Sequence, residues 1–345
     1  MHLTPPVGGV GVGWEFGGES VDELQGVEPG PYPHTGTVPA VGVLPPSRGY
    51  VQPDNVWEFV PTMARRGNNM SDDDILLIDE PAPGVRRLTM NRPHKRNSLI
   101  HPLRGAILNS LREGDQDPSV KVMIIRGAGP SFSAGYDLGG GNEGLEEPFY
   151  TPGGEGHWPR HVTEGWMSIW DLAKPVIAQV HGYCLAGGSE LATCCDLVYI
   201  AEDAKMGYPA VRFGVPDMHF HAWFLGMRRA MEMMLTGDSV TGVEAVAEGW
   251  ANRAFPEAEL DQATIDMAVK IASLPSDLVQ LNKRLVHRQM DHMGLRSGIR
   301  AGTEICALGI HTQSMKDFME TAQTKGLTAA LSKRDEPFGD YRTSH

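Results

Sequence analysis

Residues 174–190 read Lys-Pro-Val-Ile-Ala-Gln-Val-His-Gly-Tyr-Cys-Leu-Ala-Gly-Gly-Ser-Glu. From Val176 to Val180 the run is short, apolar and rich in β-branched residues, which predicts a buried strand. Gly182 breaks it. Gly187-Gly188 then lead into Ser189-Glu190-Leu191-Ala192-Thr193-Cys194-Cys195, whose helix formers put the glycine pair where a helix begins. N–H groups at a helix start have no intrahelical acceptor. Backed by the positive end of the helix dipole, they can hold an oxygen that gains negative charge. Glu190 follows within about one turn, near enough to exchange a proton with a group held there. A glycine pair at such a turn can equally be a packing device, so the second turn counts. Phe132-Ser133-Ala134-Gly135-Tyr136-Asp137-Leu138 follows a strand predicted over Val120–Arg126. Two strand-end turns can supply two N–H donors.

Together with Asn91-Arg92-Pro93 and Lys95-Arg96-Asn97-Ser98-Leu99, these turns resemble the crotonase (enoyl-CoA hydratase/isomerase) superfamily, over residues 75–340. The resemblance implies an α/β protein, a crotonase-like β-β-α spiral core with a C-terminal helical region, assembled as a homotrimer or homohexamer. It implies an enzyme that acts on an acyl-CoA thioester through an enolate, the oxyanion being held by the N–H groups of Tyr136 and Gly187. Glu190 matches the first of two catalytic glutamates. It further implies that coenzyme A, as part of the substrate and with no separate cofactor, lies along Lys95, Arg96 and Ser98 and along Ala134, Tyr136, Asp137, Leu138 and Gly139. Cationic Lys95 and Arg96 suit its phosphates.

One position departs from the hydratase pattern. Where the second glutamate should follow Gly207-Tyr208-Pro209, the chain has Ala210, which cannot move a proton. Asp217 lies where naphthoate-synthase-like and chlorobenzoyl-CoA-dehalogenase-like branches place a carboxylate. It reads as a base, a nucleophile or, first of the three, a cap for a helix at Met218–Phe224. His219 and His221 read as structural. Isomerisation, hydration, hydrolysis and carbon–carbon chemistry therefore all stay open, as does acyl-CoA binding without turnover.

The composition agrees with a metabolic enzyme. Across 345 residues, 41% apolar content suffices for a sizeable core. A formal charge of −13 excludes a general nucleic-acid binder, which needs clustered cations. Cys184, Cys194, Cys195 and Cys306 form no CxxC pair and read as reduced core residues of a cytoplasmic protein. No apolar run nears the roughly 20 residues a membrane helix needs, no secretory signal is evident, and no motif asks for a metal.

Residues 1–69 are punctuated by Gly and Pro and read as a disordered extension, with Met70 a candidate natural start. The acyl-CoA-binding core is expected over 70–255 and a helical oligomerisation region over 256–345. Strands are predicted at Ile75–Asp79 and Val85–Met90, and helices at His101–Glu113, Val162–Leu172, Ala222–Leu235, Leu260–Ala272, Leu278–Met290 and Ile299–Thr321. Met227, Met231 and Met234 are expected in the core. The segment 139–160, with His157-Trp158, reads as a binding loop or lid, and His287, His292 and His311 as surface or core histidines.

Overall fold

Alternation of side chains across short apolar runs builds the centre of the fold. The structure, a computed structural model, describes residues 75–138, 151 and 153–339. The extension over 1–69, Gly139 and the first part of the loop after it lie outside the described residues. β1 (Leu76–Ala82) and β2 (Val85–Met90) form an antiparallel hairpin whose turn uses Gly84 at φ +77°. α1 (His101–Gln116) crosses over to β3 (Val122–Gly127), which pairs parallel with β2. α2 (His157–Met167) leads to β4 (Val176–Val180). β5 (Tyr183–Leu185), α3 (Gly187–Cys194) and β6 (Leu197–Ala201) follow. Next come β7 (Lys205–Gly207), α4 (His221–Thr236), β8 (Val240–Thr241), α5 (Gly242–Ala247) and β9 (Arg253–Phe255).

The main sheet has the order β1-β2-β3-β4-β6-β9, and a small second sheet has the order β5-β7-β8. Each new strand of the main sheet is added on the same side, so the chain advances as a spiral. β3 shows why both faces are covered. Met123 and Ile125 point into the large core, while Val122 and Ile124 meet Ala268 and Ala272 of α6 (Glu257–Ala272). A strand buried on both faces reads as a continuous apolar run.

α7 (Ser276–His292), α8 (Leu295–Gly309), α9 (Gln313–Lys325) and α10 (Leu327–Asp335) complete the chain. Among the described residues no helix is long and apolar enough to cross a membrane. All four cysteines are free and buried.

Three expectations need correction. The helix predicted from Val162 starts at His157, behind Gly156 at φ +70°, so His157 and Trp158 belong to α2 and not to a loop. The helix predicted over Ile299–Thr321 is two helices, because Thr312 accepts the Met315 N–H at 3.3 Å and starts α9 afresh. Met227 and Met231 are 65% and 55% exposed, because the kink at Gly226 resets the phase of α4 and turns Ala230 and Met233 inward instead.

α7 is pinned to the core by Asp196. That carboxylate accepts the Val176 N–H, the Lys283 ammonium and His287 Nε2, each at 2.8 Å. Lys283 also donates to the carbonyls of Ile169 and Lys174. Removing one partner of a buried ion pair leaves the other uncompensated. Asp196→Ala is therefore expected to cost about 3 kcal/mol in urea denaturation, and Asp196→Ala/Lys283→Met to recover part of that loss.

Candidate active site

β5 aligns the two turns. Ser133 donates its N–H to the Tyr183 carbonyl at 2.9 Å and accepts the Leu185 N–H at 3.0 Å, which sets residues 133–136 beside 185–187. The second turn is strained, with Ala186 at φ +48°, a region an L-residue occupies only when its surroundings hold it there. The holding bonds are visible. Ala186 donates to the Gly207 carbonyl at 2.9 Å, and its own carbonyl accepts the Ser189 hydroxyl at 2.7 Å and the Glu190 N–H at 3.1 Å.

Glycine is required at both turns. Gly135 has φ +97°, and a Cβ there would come within 2.8 Å of the Leu185 carbonyl. A Cβ on Gly187 would lie 2.6 Å from the Tyr136 ring carbon that bears the hydroxyl. Neither the Tyr136 nor the Gly187 N–H has an acceptor among the described residues.

Glu190, one turn into α3, is fully buried. Its Oε1 accepts the Tyr208 hydroxyl at 2.8 Å and the Met218 N–H at 3.0 Å, and its Oε2 accepts the Tyr136 hydroxyl. The Tyr136 oxygen in turn accepts the Trp166 indole N–H at 3.0 Å. Asp217 donates its N–H to the Tyr208 oxygen at 3.1 Å, and its carboxylate lies 3.5 Å from that hydroxyl and 3.6 Å from Cys306 Sγ. One phenol thus touches both carboxyl groups.

Burial disfavours the charged form of each. It raises Glu190, helped by the negative charge of Asp217, and it raises Asp217, against the pull of Cys306 and Arg104. Tyr136 and Tyr208 are raised well above an ordinary phenol, by burial first and then by the charge of Glu190. Arg104 of α1, wholly buried, stands 5.4 Å from the Trp158 ring and 5.2 Å from the Trp166 ring.

The structure brings Tyr136, Gly187, Glu190 and Asp217 into one cluster. Ser98 and Asp137 are engaged elsewhere: the Ser98 hydroxyl and the Arg92 guanidinium both donate to Asp137 Oδ2 at 3.1 Å. Ala134 donates to the Arg96 carbonyl at 2.9 Å, tying the first turn to the loop that exposes Lys95 and Arg96. Leu138 is half exposed, and Gly139 lies outside the described residues.

Asp217 is not a helix cap, which corrects the first reading of it. Its side chain faces Tyr208 and Cys306, α4 starts at His221, and the Met218 N–H is spent on Glu190. His219 and His221 are held below the ordinary imidazole range by burial, His221 at about 3, as suits structural residues. Tyr208, Trp166 and Arg104 were missed from the sequence. Tyr208 sits two places before Ala210, the position with the missing carboxylate, and Arg104 shares the buried stripe of α1 with Ile107, Leu108 and Leu111. A charge on such a stripe is a signal of a site.

The family profile described as enoyl-CoA hydratase/isomerase matches residues 80–341. Human enoyl-CoA hydratase domain-containing protein 3, mitochondrial, is 30% identical over 258 residues, covering 73% of this chain and 79% of that protein. The crystal structure of an enoyl-CoA hydratase from Mycobacterium smegmatis superposes with a TM-score of 0.71 at 30% identity, covering 79% of this chain and 97% of the other. That of an enoyl-CoA hydratase/isomerase from Xanthobacter autotrophicus Py2 gives 0.70 at 32%, covering 77% and 98%.

A carboxyl raised on folding keeps its proton where the unfolded chain has released it, so stability falls as pH rises through that window. For Glu190 the window runs from its ordinary value to about 8. Glu190→Gln is expected to flatten the fall in Tm between about pH 5 and pH 8, read by calorimetry. A slope equal to that of the parent protein would contradict the burial argument.

Proposed function

The chain belongs to the enoyl-CoA hydratase/isomerase family, and we propose that it relocates a proton, and with it a double bond, on an enoyl-CoA thioester. The observation that carries this reading is the placement of Glu190. It lies one turn beyond Gly187, at the helix start where a carbonyl oxygen can be held, and burial raises its pKa to about 8, so that it can both take and give a proton near neutral pH. A thioester stabilises an adjacent carbanion poorly until its oxygen is bound. Two preorganised N–H donors, from Tyr136 and Gly187, stabilise the enolate, and loss of one such donor typically costs about 3 kcal/mol. One carboxyl, Glu190, is enough to store the proton removed from one carbon until it is returned to another.

Hydration is the second reading, and the contact of Tyr208 with both carboxyl groups favours it. A second carboxyl linked to the first can activate water even with Ala210 at the glutamate position. Coenzyme A phosphates are assigned to the exposed cations Lys95 and Arg96. The apolar side chains that α7 and α8 leave exposed, among them Leu281, Leu285 and Leu308, support assembly as a homotrimer or homohexamer.

The test is incubation with 2-enoyl-CoA and 3-enoyl-CoA thioesters in heavy water, followed by mass spectrometry. Deuterium uptake with double-bond migration is expected, and Glu190→Gln should slow it by about 10²–10⁴-fold. A gain of the mass of water that Asp217→Asn abolishes would select hydration. Binding without any change in the thioester would mark the protein as a non-catalytic acyl-CoA binder.

A further inference from the structure

Glu190 has no free path to a substrate. Its carboxyl is fully buried, Oε1 is engaged by Tyr208 and by the Met218 N–H, and Oε2 is engaged by Tyr136. Of these partners Tyr136 alone is only half-buried, and its hydroxyl-bearing ring carbon lies against Gly187, where the thioester carbonyl would be held. A hydroxyl has one proton and two lone pairs. The proton goes to Glu190, one lone pair accepts the Trp166 indole, and the other lone pair has no donor among the described residues.

Resting on the proton-transfer reading above, we infer that the Tyr136 hydroxyl is a catalytic residue, the group that exchanges a proton with the substrate, and that Glu190 serves it as the proton store. In the forward step the substrate C–H bond breaks and its proton forms a new O–H bond on Tyr136. The former Tyr136 proton moves to Glu190 Oε2, which enters the step as the carboxylate, and the C–H electron pair passes to the thioester oxygen, where the two N–H groups hold it. The reverse transfer delivers a proton to a different carbon and restores the carboxylate. Coupling is essential, because burial makes the phenol by itself a reluctant acid. The Trp166 N–H steadies the oxygen as the proton shifts. Tyr136 also fills the space against Gly187, so a smaller residue would open the turn but leave Glu190 without its relay.

The experiment uses the full chain and follows exchange of the α-protons of 3-hexenoyl-CoA and 3-octenoyl-CoA in heavy water by mass spectrometry. Tyr136→Phe keeps the ring and removes only the hydroxyl. It is expected to slow exchange about a hundredfold or more, with KM changed less than threefold. Tyr136→Phe/Glu190→Gln should be no slower than Glu190→Gln alone, because residues acting as a unit are not additive.

A second readout is the pH profile with 3,5-difluorotyrosine at position 136. The groups facing that phenol are Glu190 from α3, Arg104 from α1, and Tyr208 and Asp217 from the segment before α4. A more acidic phenol should move the alkaline limb to lower pH. This variant decides the matter even if Tyr136→Phe folds poorly. Exchange by Tyr136→Phe within threefold of the parent, with Glu190→Gln inactive, would overturn the relay and leave the proton-transfer reading standing. Unimpaired exchange by Glu190→Gln, or no exchange by the parent protein, would remove both.

Discussion

A carboxyl group with no exposed surface must receive its donors from the protein, and the organisation of this chain follows from how Glu190 receives them. Two phenols and one backbone N–H converge on its oxygens. Leaving such a group without partners would cost several kcal/mol. Each donor therefore constrains an element: Tyr136 the turn after β3, Tyr208 the end of β7, and Met218 the irregular chain before α4. The same burial that makes these bonds necessary raises the pKa of the carboxyl toward neutrality. Structural demand and the proposed chemistry therefore fall on one residue.

The spiral topology makes the convergence possible. Strands added in chain order on one side put the turn after β3 next to the turn before α3, and the short β5 fixes their register through Ser133. The C-terminal helices also reach the site. α8 packs against α2, Thr303 meets Thr163, and Cys306 approaches Asp217, so the helical tail shapes the floor behind the carboxyl groups. A buried cation, Arg104, between two indoles offsets part of the negative charge there.

How much of this was legible in the sequence depended on how local the signal was. β2 and β4 were read to the residue, because β-branched runs bounded by turns are short-range patterns. Gly187 and Glu190 were likewise legible from the strand-to-helix punctuation. The split between α8 and α9 was not, since a single Thr312 hydroxyl bond breaks an otherwise continuous helical period. The methionine row misled because periodicity gives spacing and not phase, and the Gly226 kink sets the phase. Asp217 misled in a different way. An aspartate before a helix-forming run reads as a cap, but Glu190, 27 positions earlier, claims the Met218 N–H and delays the helix. Tyr208 and Trp166 act through contacts remote in sequence, and no local pattern marks them.

In the proposed reaction the Tyr136 and Gly187 N–H groups polarise a thioester carbonyl. The ¹³C resonance of crotonyl-CoA labelled at the carbonyl carbon reports this polarisation, with the thioester bound to the Glu190→Gln protein so that turnover does not consume it. The expected result is a downfield shift on binding, the mark of an oxygen held by two donors. A bound thioester whose carbonyl resonates as it does in water would contradict the account.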